Sequence, residues 1–210
     1  MQQQQIDTFF SKIEKIHQLT PIDRQRLLDM VEERSFRRRA TIVGINSLTT
    51  YAFYVVEGSL RLFYTDKGRD CTASFTMSGE FVIIPRWLLA NYPDTMAIEF
   101  LENSTLLFLP NFPLKDLLKQ RVLIKGNEAQ MFIIVAMMEY IALLEEHLQM
   151  MHMTSEEKVQ WLEDRWPKLF ECANMTQIAS YLGMAKETLY RIRGGKYRRS
   201  VQQESDNITQ

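Results

Sequence analysis

Apolar and polar residues follow three successive patterns along the chain, and each pattern predicts a different kind of structure. From about Ile6 to Val31 the pattern is helical, because apolar residues recur at three- and four-residue spacing. The apolar positions of the first helix are Ile6, Phe9, Phe10, Ile13 and Ile16. The run Thr20-Pro21-Ile22-Asp23 then predicts a capping threonine and a proline at the first position of a second helix, which continues through Met30.

The second pattern, from about Ser35 to Leu109, consists of short runs rich in β-branched and aromatic residues. Five such runs begin at Ala52, Leu60, Thr72, Ala97 and Thr105. Turn signals separate several of them: Glu57-Gly58-Ser59, Asp66-Lys67-Gly68 and Ser78-Gly79-Glu80. Strands at this spacing, with no long helix between them, predict an antiparallel barrel or sandwich.

The third pattern is a helical period that begins at Asn127 and is sustained to about His152. A helix of this length is about 38 Å long, which is more than a small barrel can cover. Its apolar seam therefore needs a partner, and a second copy of the same helix is the simplest one. The alternative is a long helix packed wholly within its own chain. The residues predicted to form the dimer interface are Met131, Ile134, Met138, Ile141 and Leu148.

The segment from Asn174 to Arg193 has the pattern of two short helices joined by a tight turn. Asn174 or Thr176 can cap the first helix. That helix would bury Ile178, Ala179 and Leu182, and Gly183 stands where the turn needs a residue that tolerates positive φ. The second helix would bury Met184, Thr188 or Leu189, and Ile192, and end at Gly194-Gly195. The pattern predicts a helix-turn-helix.

The charge of this segment separates it from an ordinary helical hairpin. The whole chain has a formal net charge of -1. Between Met175 and Ser200, however, six basic residues stand against one acidic residue, Glu187, and give +5; the basic ones are Lys186, Arg191, Arg193, Lys196, Arg198 and Arg199. Such a patch attracts phosphates. Lys186, Glu187, Tyr190 and Arg191 share one face near the start of the second helix, where side chains can reach base edges. The alternative is a solvated basic helix end followed by a disordered tail.

Several other classes of protein are excluded or disfavoured. Two cysteines, Cys71 and Cys172, give neither a zinc ribbon nor a disulfide scaffold. The N-terminus lacks the features of a signal peptide, and the most apolar run, Met131 to Met138, is too short to span a bilayer. We therefore expect a cytoplasmic protein. No Ser/His/Asp order, phosphate loop or metal cluster is present that would carry catalysis, so we expect no enzyme.

The order of these elements, together with residues 178–193, resembles the Crp/Fnr family of transcription regulators. Met184-Ala-Lys-Glu-Thr-Leu-Tyr-Arg191 is similar to the recognition segment of that family. Tyr54-Val-Val-Glu-Gly-Ser-Leu-Arg61 and Gly79-Glu80-Phe81 are similar to its sensor β-roll. The resemblance implies that Lys186, Glu187 and Arg191 read bases and that Thr176 contacts a phosphate. Two departures, Ala185 in place of a Ser/Thr cap and Lys186 in place of an arginine, leave the half-site undefined.

The resemblance also bears on a possible effector. Cyclic-nucleotide sensors of the family hold the phosphate with a glutamate and with the arginine of an Arg-Ser/Thr-Ala triplet. This chain has Ile84 at the first position and Asp94-Thr95-Met96 at the second, and an aspartate would repel the phosphate. We therefore expect no cyclic AMP binding, no metal and no cofactor. Arg86 and Thr95 are the candidate residues for a pocket that takes another, unidentified small molecule.

The sequence thus predicts an α+β protein in three parts. Residues 1–126 form a sensor with a jelly-roll-like, cyclic-nucleotide-binding type of β-roll, 127–153 a long dimerisation helix, and 154–210 a winged-helix or helix-turn-helix domain. The predicted function is sequence-specific binding of a near-palindromic promoter site by a homodimer. Its predicted DNA contacts are Thr176, Lys186, Glu187, Tyr190, Arg191, Arg193 and Lys196.

Double-stranded DNA is the main predicted partner, and RNA polymerase and a small effector are further candidate partners. The alternative function is a ligand-sensing or protein-interaction module whose helix-turn-helix is degenerate. The arginine cluster Arg34, Arg37, Arg38 and Arg39 is typical of a solvated strand edge and receives no role.

Overall fold

The computed structural model describes residues 3–14, 18–43, 51–82, 96–110 and 128–195 of the chain. Within these ranges two helices come first, eight strands follow, and five helices complete the structure. Their bounds are α1 Gln3–Glu14, α2 Pro21–Met30, β1 Glu32–Phe36, β2 Thr41–Val43, β3 Tyr51–Glu57, β4 Ser59–Asp66, β5 Arg69–Met77, β6 Phe81–Val82, β7 Met96–Phe100, β8 Ser104–Pro110, α3 Glu128–His152, α4 Ser155–Arg165, α5 Leu169–Cys172, α6 Met175–Tyr181 and α7 186–195.

The described strands form two antiparallel sheets of four strands each. Sheet A has the order β1-β8-β3-β6, and sheet B has the order β2-β7-β4-β5. Every described pair of neighbours in both sheets runs antiparallel. The predicted α+β class with an antiparallel β-roll is therefore confirmed.

One hydrophobic core lies between the two sheets. Successive side chains of a strand point to opposite faces, so each sheet has an inner and an outer face. Phe53 and Phe108 are cross-strand neighbours on the inner face of sheet A, and their rings meet edge-on at 4.8 Å. The residues buried between the sheets are Phe53, Val55, Leu60, Leu62, Val82, Ile98, Phe100, Leu106 and Phe108.

Helices cover the outer faces of both sheets. The pair next to Phe53 and Phe108, Tyr54 and Leu107, points outward from sheet A and packs under α1 and α2 together with Phe9. On the other side, Phe75 and Leu101 join the core of the C-terminal helices α4 to α7. The order of layers is therefore α1–α2, sheet A, sheet B and the C-terminal helices.

The two N-terminal helices have the predicted positions and the predicted cap. Phe9, Phe10 and Ile13 are buried, while Ile16 lies outside the described residues. Thr20 accepts a hydrogen bond from the backbone N–H of Asp23, and the Asp23 carboxylate accepts one from the backbone N–H of Thr20. This reciprocal capping explains why α2 begins at the proline.

Three strands, β1, β2 and β6, were not predicted from the sequence. All three are edge strands of the described sheets, which have a hydrogen-bonding partner on one side only. Edge strands in natural proteins are short and carry charged residues, since these features discourage further pairing. Accordingly β1 is Glu-Glu-Arg-Ser-Phe, and β2 and β6 have three and two residues. None of them contains the run of β-branched and aromatic residues that identified the other five strands, one of which, β5, is also an edge strand.

The turn between β3 and β4 depends on Gly58. Its φ is +94°, and a Cβ built on it would stand 2.3 Å from Ser104 Oγ and 2.7 Å from the carbonyl oxygen of Asn103. A residue with a side chain would clash there as well as strain the backbone. The predicted Glu57-Gly58-Ser59 turn is thus fixed by the close approach of the β7–β8 connection.

Candidate nucleic-acid interface

The first helix of the candidate interface, α6, begins at Asn174. The Asn174 side chain accepts hydrogen bonds from the backbone N–H groups of Thr176 and Gln177, each at 3.0 Å. Gln177 returns the bond, because its side-chain oxygen accepts from the backbone N–H of Asn174 at 2.9 Å. Of the two predicted caps, Asn174 and Thr176, the structure therefore uses Asn174.

A tight turn joins α6 to the second helix, α7. Gly183 has φ +64° there, as its predicted role requires. The backbone N–H of Met184 donates to the carbonyl oxygen of Ala179 at 3.0 Å, so the chain after the turn stays close to α6. Ala179 is 2% exposed, which leaves no room for a larger residue at the crossing.

The inner face of α7 is fixed in the domain core. Leu189 and Ile192 are buried, whereas the alternative core position, Thr188, is only half-buried. Gly194 and Gly195 are still helical and are the last described residues of α7, so the end of the helix at these glycines stays a prediction. A glycine costs a helix about 1 kcal/mol relative to alanine, less than the burial of Leu189 and Ile192 contributes.

The outer face of α7 carries the predicted base-reading residues. Lys186, Glu187, Tyr190 and Arg191 are all exposed, and Tyr190 is 52% exposed. The Lys186 ammonium lies 5.6 Å from the centre of the Tyr190 ring. Thr176 is exposed near the start of α6. The structure thus brings five of the seven predicted DNA contacts to the exposed surface of the α6–α7 pair.

The other two predicted contacts differ from these five. The Arg193 guanidinium stacks over the Phe170 ring at 4.3 Å and lies 3.6 Å from the Glu163 carboxylate, so it is engaged within the helical domain. Lys196, like the predicted wing and the basic tail, lies outside the described residues. Both remain predictions.

The exposed side of α3 carries the described part of the predicted dimer seam. Met138, Ile141 and Leu148 are 51%, 44% and 50% exposed, and Leu144 and Met151 extend the same apolar surface. The side chains of Met131 and Ile134 are not among the described ones. A continuous row of exposed apolar residues on a single chain usually marks an interaction site.

Sequence reasoning missed how α6 is attached to sheet B. The side-chain amide of Gln177 donates to Glu99 on β7 at 3.0 Å. At the other end of α6, Ser180 Oγ accepts a hydrogen bond from the backbone N–H of Thr72 on β5, also at 3.0 Å. The helix therefore crosses the outer face of sheet B from β7 to β5.

A buried arginine organises the acceptors on the sheet side of this contact. Arg61 is 4% exposed, and its guanidinium lies 2.6 Å from Glu99 and makes two hydrogen bonds to Asp70, at 2.5 and 2.7 Å. Loss of Arg61 would leave the carboxylates of Glu99 and Asp70 without the cation that pairs with both of them, so we expect it to destabilise this contact. The only sequence signal for this network was a charged residue within an apolar run of β4.

A second contact joins the β-roll, α3 and α4. Arg165 of α4 lies 3.3 Å from Glu80 and 3.2 Å from Glu146, and the indole N–H of Trp166 donates to Glu80 at 3.1 Å. Burial raises the pKa of Glu146 above its ordinary value, although Arg165 opposes that shift. Burial likewise raises the pKa of Tyr181. This junction links the turn after β5 to both helical segments.

The predicted effector residues Arg86 and Thr95 lie outside the described residues, as does Ile84. Among the described residues, a cavity of about 80 Å³ lies at the junction of Glu80, Glu146 and Arg165. Ligand pockets usually measure at least about 300 Å³, so this cavity is too small for a nucleotide. No group of described His, Cys, Asp and Glu side chains has the arrangement of a metal site.

No described helix is both long enough and apolar enough to cross a membrane. No family model matches the sequence, and no curated protein sequence does so either. Solved structures do match it. The two-sheet β-roll, the long helix α3 and the helices that follow give the chain a Crp/Fnr-like fold.

Three of the similar structures show how far this likeness extends. FixK2 from Bradyrhizobium japonicum has a TM-score of 0.59 and 19% identity over 81% of this chain and 86% of its own. A putative cyclic nucleotide binding protein from Ruegeria pomeroyi has a TM-score of 0.56 and 20% identity over 91% and 86%. The c-di-GMP responsive global regulator CLP from Xanthomonas campestris has a TM-score of 0.58 and 12% identity over 84% and 91%. At these identities the likeness establishes the fold.

Proposed function

We propose that the chain is a transcription regulator that binds DNA in a sequence-specific way through a helix-turn-helix formed by α6 and α7. One observation carries the proposal: α7 follows a glycine turn, buries Leu189 and Ile192, and presents Lys186, Glu187, Tyr190 and Arg191 on its free side. A helix held in this way can enter the major groove with its N-terminal residues on base edges.

The exposed side chains have the chemistry that base reading needs. Lysine and arginine donate to the acceptors of guanine, and a glutamate accepts from the amino group of cytosine. Thr176 stands at the start of α6, where the first helix of such a motif passes the phosphate backbone. Arg193 contributes positive charge at the far end of α7, although it stacks on Phe170.

We propose that the active form is a homodimer assembled through α3. The helix α3 exposes a row of apolar residues to solvent: Met138, Ile141, Leu144 and Leu148. The α3 helix of a second copy can bury this row, because it carries the same apolar residues. Two-fold symmetry would place two α7 helices in successive major grooves. A near-palindromic site with half-sites about one helical turn apart follows from that arrangement.

We further propose a regulatory and not a catalytic role, with a sensor part (1–126), a dimer helix (127–153) and a DNA-binding part (154–210). Cyclic AMP is not the proposed effector, because Asp94 in the sequence would repel its phosphate. The effector itself, the contact with RNA polymerase and the cytoplasmic location stay predictions.

The test is a selection of bound duplexes from random DNA with the full chain, followed by binding measurements on the selected site. We expect a near-palindromic site and an affinity that falls steeply with added salt. Arg191→Glu should abolish specific binding while the dimer persists. If specific binding survives Arg191→Glu, the proposal that α7 reads the base sequence is wrong. The α6–α7 pair would then serve for protein docking instead.

A further inference from the structure

Three consecutive arginines occupy the turn between β1 and β2. Arg37, Arg38 and Arg39 are all exposed, and none of their side chains pairs with a described residue. Arg34, which belongs to the same cluster in the sequence, is different. It forms an ion pair with Glu32 at 2.7 Å, and its guanidinium stacks over the Phe108 ring at 4.3 Å. The unpaired part of the cluster is therefore the turn itself, residues 37–39.

The backbone of this turn is held in place without help from the arginine side chains. The N–H of Arg39 donates to the carbonyl oxygen of Phe100 at 2.7 Å, and the N–H of Arg38 donates to the Asn103 side chain at 3.0 Å. Arg39 has φ +68°, a conformation that glycine adopts without strain and arginine does not. A strained residue whose side chain makes no described hydrogen bond or ion pair is a reason to look for an external ligand.

The turn lies at the edge of sheet B from which α6 begins its path across the sheet. Thr41, two residues after the turn, is the cross-strand neighbour of Glu99, and Glu99 accepts the hydrogen bond of Gln177. The far end of α6 lies over β5, where Ser180 meets Thr72. The N-terminal end of α6, with the exposed Thr176, therefore points toward the strand that the three arginines introduce.

No described carboxylate forms an ion pair with the arginines of the turn, and two carboxylates in the strands and connections beside it bind other partners. Glu99 is bound by the guanidinium of Arg61 at 2.6 Å. Glu102, in the connection that holds the turn, accepts a hydrogen bond from Ser59 Oγ at 2.7 Å. Three arginines are thus exposed at the edge of sheet B toward which the start of α6 points.

We propose that Arg37, Arg38 and Arg39 form a second phosphate-binding surface, which takes the DNA backbone that flanks the sequence read by α7. Guanidinium groups suit this role because their planar donors can bind phosphate oxygens in pairs. The surface carries no base specificity and extends the length of DNA that one protomer contacts. The inference rests on the proposed function, since it requires DNA on the α6–α7 pair.

The test compares two charge-matched double variants of the full chain. Arg37→Gln with Arg38→Gln removes two cations from the turn. Lys67→Gln with Arg69→Gln removes two exposed cations from the β4–β5 hairpin, at the other end of the same sheet. Both are titrated with salt on the selected site in a duplex of about 60 base pairs and in one trimmed to about 24, which spans little more than the two half-sites.

On the long duplex we expect the turn variant to lower the slope of log affinity against log salt by up to about 4 for the dimer, that is 0.9 per lost phosphate contact. The hairpin variant should leave the slope unchanged. On the short duplex the turn variant should bind as the unmodified chain does. Arg39→Gly should raise the melting temperature and still weaken binding to the long duplex, because it relieves the positive φ and removes a cation.

The outcomes separate this inference from the function on which it rests. If the unmodified chain binds neither duplex, both proposals fail. If it binds the selected site but the turn and hairpin variants have equal slopes on the long duplex, only the second surface is wrong. If DNA binding is unchanged and the turn variant loses transcription by purified RNA polymerase, the arginines bind an acidic protein surface, and the proposal is again overturned.

Discussion

The side-chain amide of Gln177 donates a hydrogen bond to the carboxylate of Glu99 over 3.0 Å, and this bond fastens the N-terminal end of α6 to sheet B. The oxygen of the same side chain accepts from the backbone N–H of Asn174 and completes the cap of α6. Gln177 therefore caps α6 and also attaches it to sheet B. The two roles use different atoms, so a substitution can separate them.

Gln177→Glu should keep the cap and release the contact with the sheet. The glutamate retains an acceptor for Asn174, but it has no donor for Glu99 and sets a second negative charge against it. A hydrogen bond to a charged group contributes about 1.5–3 kcal/mol, so α6 should separate from the sheet at least tenfold more often. The backbone N–H of Thr72 reports this, because it donates to Ser180 Oγ; its hydrogen exchange should accelerate.

The control for this experiment is Thr176→Glu, which adds the same charge at the exposed neighbouring position. Its Thr72 exchange rate should equal that of the unmodified chain. Equal rates in Gln177→Glu and Thr176→Glu would mean that the Gln177–Glu99 bond contributes nothing to docking, and that the apolar contacts of Phe75 with Tyr181 hold α6 alone.

The two hydrogen bonds of the Gln177 side chain, one within α6 and one to sheet B, show what the sequence could and could not predict. The α6–α7 pair follows from local rules, because a cap, a glycine turn and apolar spacing all act within about twenty residues. The docking of α6 depends on Glu99 and Arg61, which are far away in the chain. Arg61 is a charged residue on the outer face of a strand, and a side chain in such a position is usually exposed to solvent. Arg61 is buried here, where α6 packs over the same face of sheet B.

The same reasoning applies to the β-roll. Five strands were predicted because each one contains a run rich in β-branched and aromatic residues. Three of the four edge strands of the described sheets, β1, β2 and β6, escaped because they are short or highly charged, whereas the fourth, β5, has nine residues and was predicted. The pattern likewise predicted the extent of α3, but a sequence does not show which apolar residues of a helix its own chain leaves exposed.

Lys186 should contribute to sequence recognition and not only to overall charge. We expect Lys186→Ala to weaken binding of the selected site by about 1–3 kcal/mol and to relax the preference at one position of each half-site. Lys168→Ala is the matched control, because Lys168 is an exposed lysine of the same helical domain outside the α6–α7 pair. Competition with single-base variants of the site measures both effects. A uniform loss on every variant would make Lys186 a phosphate contact.

The exposed seam of α3 should determine the oligomeric state. Ile141 is 44% exposed in the single chain, and Ile141→Glu would place a charge at the centre of the proposed interface. Burial of an unpaired charge costs several kcal/mol, so the variant should sediment as a monomer at concentrations where the unmodified chain is a dimer. Gln149→Glu adds the same charge at an exposed polar position of α3 and should leave the dimer intact. A dimeric Ile141→Glu would place the interface elsewhere.

The junction of Glu80, Glu146 and Arg165 should make stability depend on pH in a defined direction. Burial raises the pKa of Glu146 above the ordinary value of 4.5, so the folded chain binds this proton more tightly than the unfolded chain does. Its contribution to stability is therefore complete below pH 4.5 and is lost as the pH rises through the folded pKa.

Glu146→Gln cannot titrate. The variant also loses the ion pair with Arg165. The difference in unfolding free energy between the two proteins therefore changes with pH because Glu146 titrates in the unmodified chain. Urea unfolding of both proteins between about pH 4 and pH 7 should show the unmodified chain losing stability relative to Glu146→Gln as the pH rises. The carboxylate of Glu157, whose pKa is lowered by hydrogen bonds from Thr154, has the opposite dependence but is present in both proteins and cancels. Parallel curves would mean that Arg165 compensates fully for the burial of Glu146.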